Sequence, residues 1–446
     1  MREVYIERHL EKEVKKASRF YPVVLVCGQR QVGKSTMLYK IKEKSRNYVT
    51  FDDNAIRRLA KKDPDLFFET YKPPLIIDEF QRVPSILITL KKIIDNKKLK
   101  GKKTNGLYWL TGSQKFKMMK NVSESLAGRI AILEMSSLSS REISKKSSLV
   151  FDGDIKKLKI NYNPNKDYVD ISKLYKKIFT GGLPKIVSTK INRNNYYMDY
   201  INTYLERDIK ELSQVGHLDT FYDFLVYMAA RTSNELKYDE ISKNLGISAP
   251  TAKQWVSILE RTGAIFILKP YSNNITKRLV KTPKIYFMDT GLVTYLCGWD
   301  SPKTLQNGAM SGEIFETYVI SEIVKGYLNN RAKMDLYYYR DIDKKEIDLL
   351  IVKNGSITPI EIKKNKNPDD ATKNFDVLNK FKMNVKKGSI ICMSEEFIPY
   401  DRKADLCPVS SILYFFEVWC PLEPLKVHIF EKQAFLNVHF LEVPYN

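Results

Sequence analysis

The sequence predicts an α/β, multidomain chain. Short apolar strands ending in a glycine-rich loop or in carboxylates recur between residues 23 and 115. A helix, turn, helix, strand periodicity occupies the middle, and two alternating apolar segments flank Asn354-Gly355 near the end. At 446 residues, 43% of them hydrophobic, the chain exceeds one ordinary core and can bury several.

The first element is the stretch VVLVCGQRQVGKSTML. Val23 to Val26 read as a buried parallel strand, and a helical pattern follows the loop. Between them stand Gly28, Gln29, Arg30, Gln31, Val32, Gly33, Lys34, Ser35 and Thr36, the spacing of a P-loop. The glycines let backbone N–H groups wrap phosphate oxygens at a helix N-terminus. Lys34 reaches the β and γ phosphates, and the Ser35 hydroxyl ligates Mg²⁺. A glycine-rich turn is the plain alternative, which the strand-loop-helix context disfavours. ATP with Mg²⁺ is the expected ligand.

A second strand, PPLIIDEFQ, ends in Asp78 and Glu79. Asp78 is expected to hold the Mg²⁺ and Glu79 to orient the attacking water. A third, GLYWLTGSQ, finishes in Thr111, Ser113 and Gln114, small polar groups placed to feel a γ-phosphate. Arg129, after the glycine of SESLAGR, is expected as a sensor or arginine finger, with a surface ion pair as the alternative.

Through GQRQVGKSTM, FDDNAIRRLAKKDP, IIDEFQRVP, LTGSQKFKMM and SESLAGR, the chain resembles the prokaryotic AAA-type ATPases that carry a C-terminal domain of unknown function. GGLPKIV, YLERDI and KTPKIYFMDTGLVTYL resemble the later parts of the same family. The resemblance spans roughly residues 5–410. The lysine-rich stretch at 144–168 and the tail Phe415 to Asn446 depart from it. It implies an AAA-type parallel-sheet domain over 1–140, a helical linker over 141–215, a winged helix over 216–275, a restriction-endonuclease-like α/β domain over 276–414 and an unassigned tail over 415–446.

In the middle segment Ser248 fits a helix N-cap and Pro250 a first turn. Ile241, Leu245, Val256 and Leu259 recur at helical spacing, as in a helix-turn-helix core with a following β wing. Lys253, Gln254 and Arg261 are the side chains left for contacts on the second helix. The wing segment adds Lys277, Arg278, Lys281 and Lys284, read as phosphate contacts without base readout. DNA binding and protein docking both fit this pattern.

Asn354-Gly355 signals a two-residue type I′ hairpin. That loop sets Lys353 opposite Ser356, Leu349 opposite Ile360, Asp348 opposite Glu361 and Glu346 opposite Lys363. Period-2 alternation then puts the charged residues on one face and Ile347, Leu349, Ile351, Ile360 and Ile362 on the other. Pro359 cannot donate to a ladder, so an edge strand or a bulge between residues 356 and 361 is expected. Facing carboxylates are destabilising unless a cation lies between them. An acid, an acid-x-lysine and a helical glutamate form the site of restriction-endonuclease-like folds, in which the acids hold Mg²⁺ or Mn²⁺ and the lysine assists. Asp348, Glu361 and Lys363 supply the strand residues. The family resemblance places the helical acid at Glu316, with Glu313 and Glu322 on the same helix.

Composition bounds the setting. Lys and Arg number 74 against 52 Asp and Glu, a formal charge of +22. Such an excess suits a polyanionic partner, DNA ahead of RNA, and a lysine-rich genome produces the same excess. Five cysteines without CxxC spacing and four histidines give neither a disulfide framework nor a zinc site, which leaves buried free thiols. No apolar run reaches membrane-span length and the N-terminus is charged, so a cytoplasmic protein is expected. Two functions fit. In one, ATP binding and hydrolysis gate nucleic-acid binding or metal-dependent cleavage. In the other, a nucleotide-controlled switch or scaffold carries a catalytically inactive nuclease-like domain that binds nucleic acid or a protein partner.

Overall fold

The computed structural model describes residues 4–112, 126–204, 218–272 and 282–413. Its first sheet comprises β1 (Val23–Gly28), β2 (Asn47–Thr50), β3 (Leu75–Asp78), β4 (Tyr108–Gly112) and β5 (Ile130–Met135). All pairs are parallel and the order is β2-β3-β4-β1-β5. Both faces are covered, which is why β1 and β3 read as unbroken apolar runs. Val24, Val26, Ile76 and Trp109 face one core, and Val23, Leu25, Ile77 and Leu110 face another beneath the helix Ile86–Leu99. The loop after β1 and the acids at the end of β3 leave the same carboxyl edge of the sheet, where ligands of parallel sheets bind.

The middle segment holds the helices Leu218–Ala230, Tyr238–Leu245 and Ala249–Arg261, followed by β6 (Ile265–Leu268) paired antiparallel with β7 (Lys284–Phe287). Ser248 caps the third helix by accepting from Thr251 N–H at 3.2 Å. Ile241, Val256 and Leu259 are buried together with Phe221, Phe224 and Trp255. Lys253, Gln254 and Arg261 are exposed. The β6–β7 pairing crosses the boundary expected at 275/276, so residues 284–287 pack with these helices. Lys277, Arg278 and Lys281 lie outside the described residues. Lys284 is not a surface phosphate contact, because it is only 4% exposed and faces carboxylates.

The C-terminal part opens with the helix Ser311–Asn329, in which every residue from Thr317 to Lys325 is buried. A helix apolar on all sides must be covered on all sides; this one packs against β5, β7 and the helix Leu10–Phe20. The second sheet follows: β8 (Leu336–Arg340), β9 (Glu346–Lys353), β10 (Ser356–Ile362), β11 (Asn384–Val385), β12 (Gly388–Cys392), β13 (Ile398–Pro399) and β14 (Ala404–Pro408). Its order is β13-β14-β12-β10-β9-β8, with β11 also on β10.

Asn354 and Gly355 have φ of 50° and 72°, the positive pair a type I′ turn demands. The register is the expected one, from Ser356 against Lys353 to Ile360 against Leu349. Pro359 sits in neither an edge strand nor a bulge. It falls where β10 changes parallel partner, from β11 at Ser356 and Ile357 to β12 at Ile360 to Ile362, so its missing donor breaks no ladder. The bulge lies instead on the other side of β9, where Tyr337 and Tyr339 face Leu350 and Ile347. It resets the alternation: Leu349, Ile351, Ile360 and Ile362 join the large core, while Ile347 turns to the opposite core with Leu350 and Ile357. The single apolar face expected of β9 and β10 is thereby divided between two cores.

Two buried polar links tie the parts together. Arg8 Nε pairs with Glu142 Oε1 at 3.0 Å, and its other nitrogens donate to Val32 O at 2.7 Å and Ser136 O at 2.8 Å. Ser140 N–H, two residues before Glu142, donates to Glu322 Oε2 at 2.7 Å on the long helix. Burial opposes ionisation of Glu142, but Arg8 and the backbone donors overcome it and hold the carboxyl at about 2 against an ordinary 4.5. A depressed carboxyl stabilises the fold above its unfolded value and loses that contribution as pH falls through the folded value, here on the order of 3 kcal/mol between about pH 4.5 and 2. Glu142→Gln should therefore melt well below wild type at pH 7, and the gap should close as pH drops from 5 toward 2. A gap independent of pH, followed by circular dichroism, would contradict the assignment.

Candidate active site

The loop after β1 is shaped by its backbone. Gly28 has φ of 135°, and a Cβ there would stand 2.0 Å from Met135 O; Gly33 has φ of 89°. Both positions therefore require glycine. Lys34 is 6% exposed and donates to Gly28 O at 3.0 Å and Gln29 O at 2.6 Å, lying along the loop its ammonium would share with phosphates. Ser35 Oγ donates to Asp78 Oδ1 at 2.5 Å across the gap between β1 and β3. Tyr48 OH donates to Asp78 Oδ2 at 2.9 Å, and Thr111 Oγ1 also donates to Asp78. A hydroxyl and a carboxylate this close are the hard oxygen donors that suit Mg²⁺.

Glu79 follows in a left-handed conformation, φ 54°, with its N–H donating to Thr111 Oγ1 at 3.1 Å. Burial raises its carboxyl above the ordinary range and Lys34 pulls it back. Ser113 and Gln114 lie outside the described residues. Arg129 is at the wrong end of the sheet for its own phosphate site. Its carbonyl accepts from Val23 N–H at the start of β1, about 16 Å of strand from Gly28. Its guanidinium forms a two-point pair with Asp95, at 2.7 and 3.1 Å.

Beside Gly33 and Thr36 opens a cavity of about 370 Å³, bounded by Tyr5 and Arg8 of the N-terminal segment and by Pro184 and Tyr196 of the linker. Tyr196 OH donates to Gln31 Oε1 at 2.6 Å. None of these four bounding residues was among the sequence candidates. The signal was the GGLP stretch, whose Gly182 has no room for a Cβ, since one would lie 2.4 Å from Leu138 O.

The C-terminal candidates do converge, but around lysines. Lys284 Nζ meets Glu316 Oε1 at 3.3 Å and Glu346 Oε1 at 2.5 Å, and Tyr286 OH donates to Glu316 at 2.6 Å. Lys363 Nζ meets Glu361 at 2.7 Å and Asp348 at 3.4 Å, while Ile362 N–H donates to Asp348 Oδ2 at 2.8 Å. Burial pushes the Glu316 carboxyl up to about 7 although Lys284 opposes it. Burial and then Asp348 push Glu361 well above its ordinary range. Burial works against Asp348 too, but Lys363 and Lys284 hold it low. Among the described residues, no three His, Cys, Asp or Glu side chains gather as metal ligands. Lys363 bridges Asp348 and Glu361, where a second metal was expected. Lys284, Tyr286 and Glu346 are the members that sequence reasoning left out of the site.

Residues 21–144 match the family model of an AAA domain. Residues 171–303 and 311–412 match models described as Domain of unknown function (DUF8612) and Domain of unknown function (DUF4143). Uncharacterized protein Rv2008c of Mycobacterium tuberculosis and Uncharacterized protein Mb2031c of Mycobacterium bovis are each 27% identical over 364 residues, 81% of this chain and 74% of theirs. Among solved structures, the Walker-type ATPase PABY2304 of Pyrococcus abyssi shares 14% identity and a TM-score of 0.40 over 66% of this chain and 96% of its own. A RuvB variant of Thermotoga maritima shares 16% and 0.29 over 60% and 93%. No helix among the described residues is long and apolar enough to cross a membrane.

Tyr48 offers a test of the Asp78 geometry. Tyr48→Phe removes one of three donors to that carboxylate, so affinity for Mg·ATP should fall up to about tenfold. Titration with a fluorescent ATP analogue reads this, and unchanged affinity would show that the phenol does not position Asp78.

Proposed function

We propose that the chain binds and hydrolyses Mg·ATP in its AAA domain and passes the nucleotide state to its C-terminal unit. The observation that carries the reading is the direct Ser35–Asp78 contact, 2.5 Å, at the mouth of the loop that holds Lys34. Lys34 and the loop amides bind the phosphates. Ser35 and Asp78 hold Mg²⁺, which neutralises phosphate charge when bound. Glu79 accepts the proton of the attacking water. The cavity beside Thr36 takes the nucleoside, so its occupancy bears on both the N-terminal segment and the linker.

The middle helices with β6 and β7 have the order of a winged helix. The helix Ser311–Asn329 followed by β8 to β10 has the order of a restriction-endonuclease-like fold. Nucleic acid is the partner proposed for these units, supported by the net charge of +22 and by exposed Lys253 and Arg261. Between cleavage and binding without cleavage, the pairing of Lys284 and Lys363 with the acids favours binding.

Lys34→Ala should abolish ATP turnover and weaken binding, whereas Glu79→Gln should bind Mg·ATP and turn it over at least about a hundredfold more slowly. Turnover by Lys34→Ala equal to wild type would overturn the reading. Labelled DNA and RNA should be retained without cutting in Mg²⁺ or Mn²⁺. Cleavage lost in Asp348→Ala would reverse that part.

A further inference from the structure

Lys284 is a buried cation that the ATP site does not use. It lies on β7, whose backbone is fixed on both sides: β6 pairs with it along Lys284 to Phe287, and Ser233 N–H donates to Ile285 O at 2.7 Å while Leu236 N–H donates to Pro283 O at 2.8 Å. The side chain is 5% exposed and ends between a helical carboxylate, Glu316, and a strand carboxylate, Glu346. A buried ammonium on a pinned strand is held by the fold rather than by a free choice of rotamer. Around it stand Glu316, Glu346 and Asp348, with Glu361 beside Asp348, Lys363 across those two and Arg340 on Glu346 at 3.0 Å.

We propose that Lys284 is the resident cation of this cluster and that it excludes a divalent ion from Glu316, Asp348 and Glu361. The inference rests on reading the C-terminal unit as nuclease-like, since only that fold leads one to expect a metal there. An ammonium offers three donors to carboxylate oxygens, and Lys284 spends two of them on Glu316 and Glu346. A divalent ion needs about six oxygen ligands and cannot share a low-dielectric pocket with a fixed positive charge without strong repulsion. The carboxylates that would ligate it are divided between two lysines, and among the described residues no three of them are grouped so as to hold a metal ion. The lysine arrives from the middle helical unit, not from the C-terminal sheet. Position 284 thus makes the cluster a seam between units as well as a charge balance.

The test uses nucleotide-free full-length protein and Mn²⁺ alone, with bound ion counted from the loss of the free Mn²⁺ electron-spin signal. Wild type and Asp348→Asn should retain the same amount of Mn²⁺. Lys284→Gln, which keeps a donor for the glutamates, should bind one more Mn²⁺ per chain, and adding Asp348→Asn should remove that gain. If Lys284→Gln does not fold, Lys284→Gln with Glu346→Gln also removes one of the two carboxylates that Lys284 neutralises, and the same gain is expected. Mn²⁺ held by wild type in an Asp348-dependent manner would overturn the proposal. A folded Lys284 variant that gains none would overturn it as well. Because the readout is metal and no nucleic acid is present, either failure is distinct from failure of the nucleic-acid reading, which retention of labelled DNA and RNA decides.

Discussion

The Arg8–Glu142 pair is the contact on which the arrangement of the chain turns. Two ions this deeply buried cost several kcal/mol each to remove from water, and the cost is recovered only when every remaining donor and acceptor is used. Here they are: Glu142 also accepts from His9 N–H at 2.9 Å and from Ser139 N–H at 2.8 Å, and Arg8 spends its other nitrogens on Val32 and Ser136. One interaction thereby fixes the N-terminal segment, the phosphate loop and the exit from β5 relative to one another. The next turn extends it, because Ser140 N–H reaches Glu322, whose partner Lys325 donates to Leu138 O at 3.2 Å. The phosphate loop and the helix that carries Glu316 are linked by buried polar contacts throughout.

A second route runs from the cavity. Gly182 N–H donates to Asp289 Oδ2 and Tyr197 OH to Asp289 Oδ1, both at 2.8 Å, and Asp289 also caps the helix Thr290–Leu296. Asp289 follows closely after β7, the strand that presents Lys284. The linker residues that bound the cavity beside Thr36 and the lysine that neutralises the acidic cluster are therefore clamped to the same few residues. This gives the GGLP and MDTG stretches a shared physical role as the two halves of one joint.

What the sequence revealed and what it hid follow a physical division. Local backbone chemistry was legible: the P-loop spacing, the Ser248 cap, and the Asn354-Gly355 turn with its register as far as Leu349 against Ile360. So was the convergence of Glu316, Asp348, Glu361 and Lys363 in one region. Long-range consequences were not. The β9 bulge depends on β8 facing it, and it moved Ile347 to a different core. Lys284 reads as a basic wing residue until β6 pairs with β7 and points it inward. Arg129 follows a glycine at a suggestive distance from the loop, yet parallel pairing sends it to the far edge of the sheet. Tyr48 carries no motif, and only the β2–β3 pairing sets it beside Asp78.

If these two routes couple the parts of the chain, nucleotide in the AAA domain is felt by the long helix shared with the C-terminal unit. Hydrogen exchange measured by mass spectrometry, with and without a non-hydrolysable ATP analogue and Mg²⁺, tests it directly. Slowed exchange at the phosphate loop should be accompanied by altered exchange in peptides covering residues 136–144 and 311–329. Protection confined to residues 28–36 and 78–79, with those two segments unchanged, would contradict it.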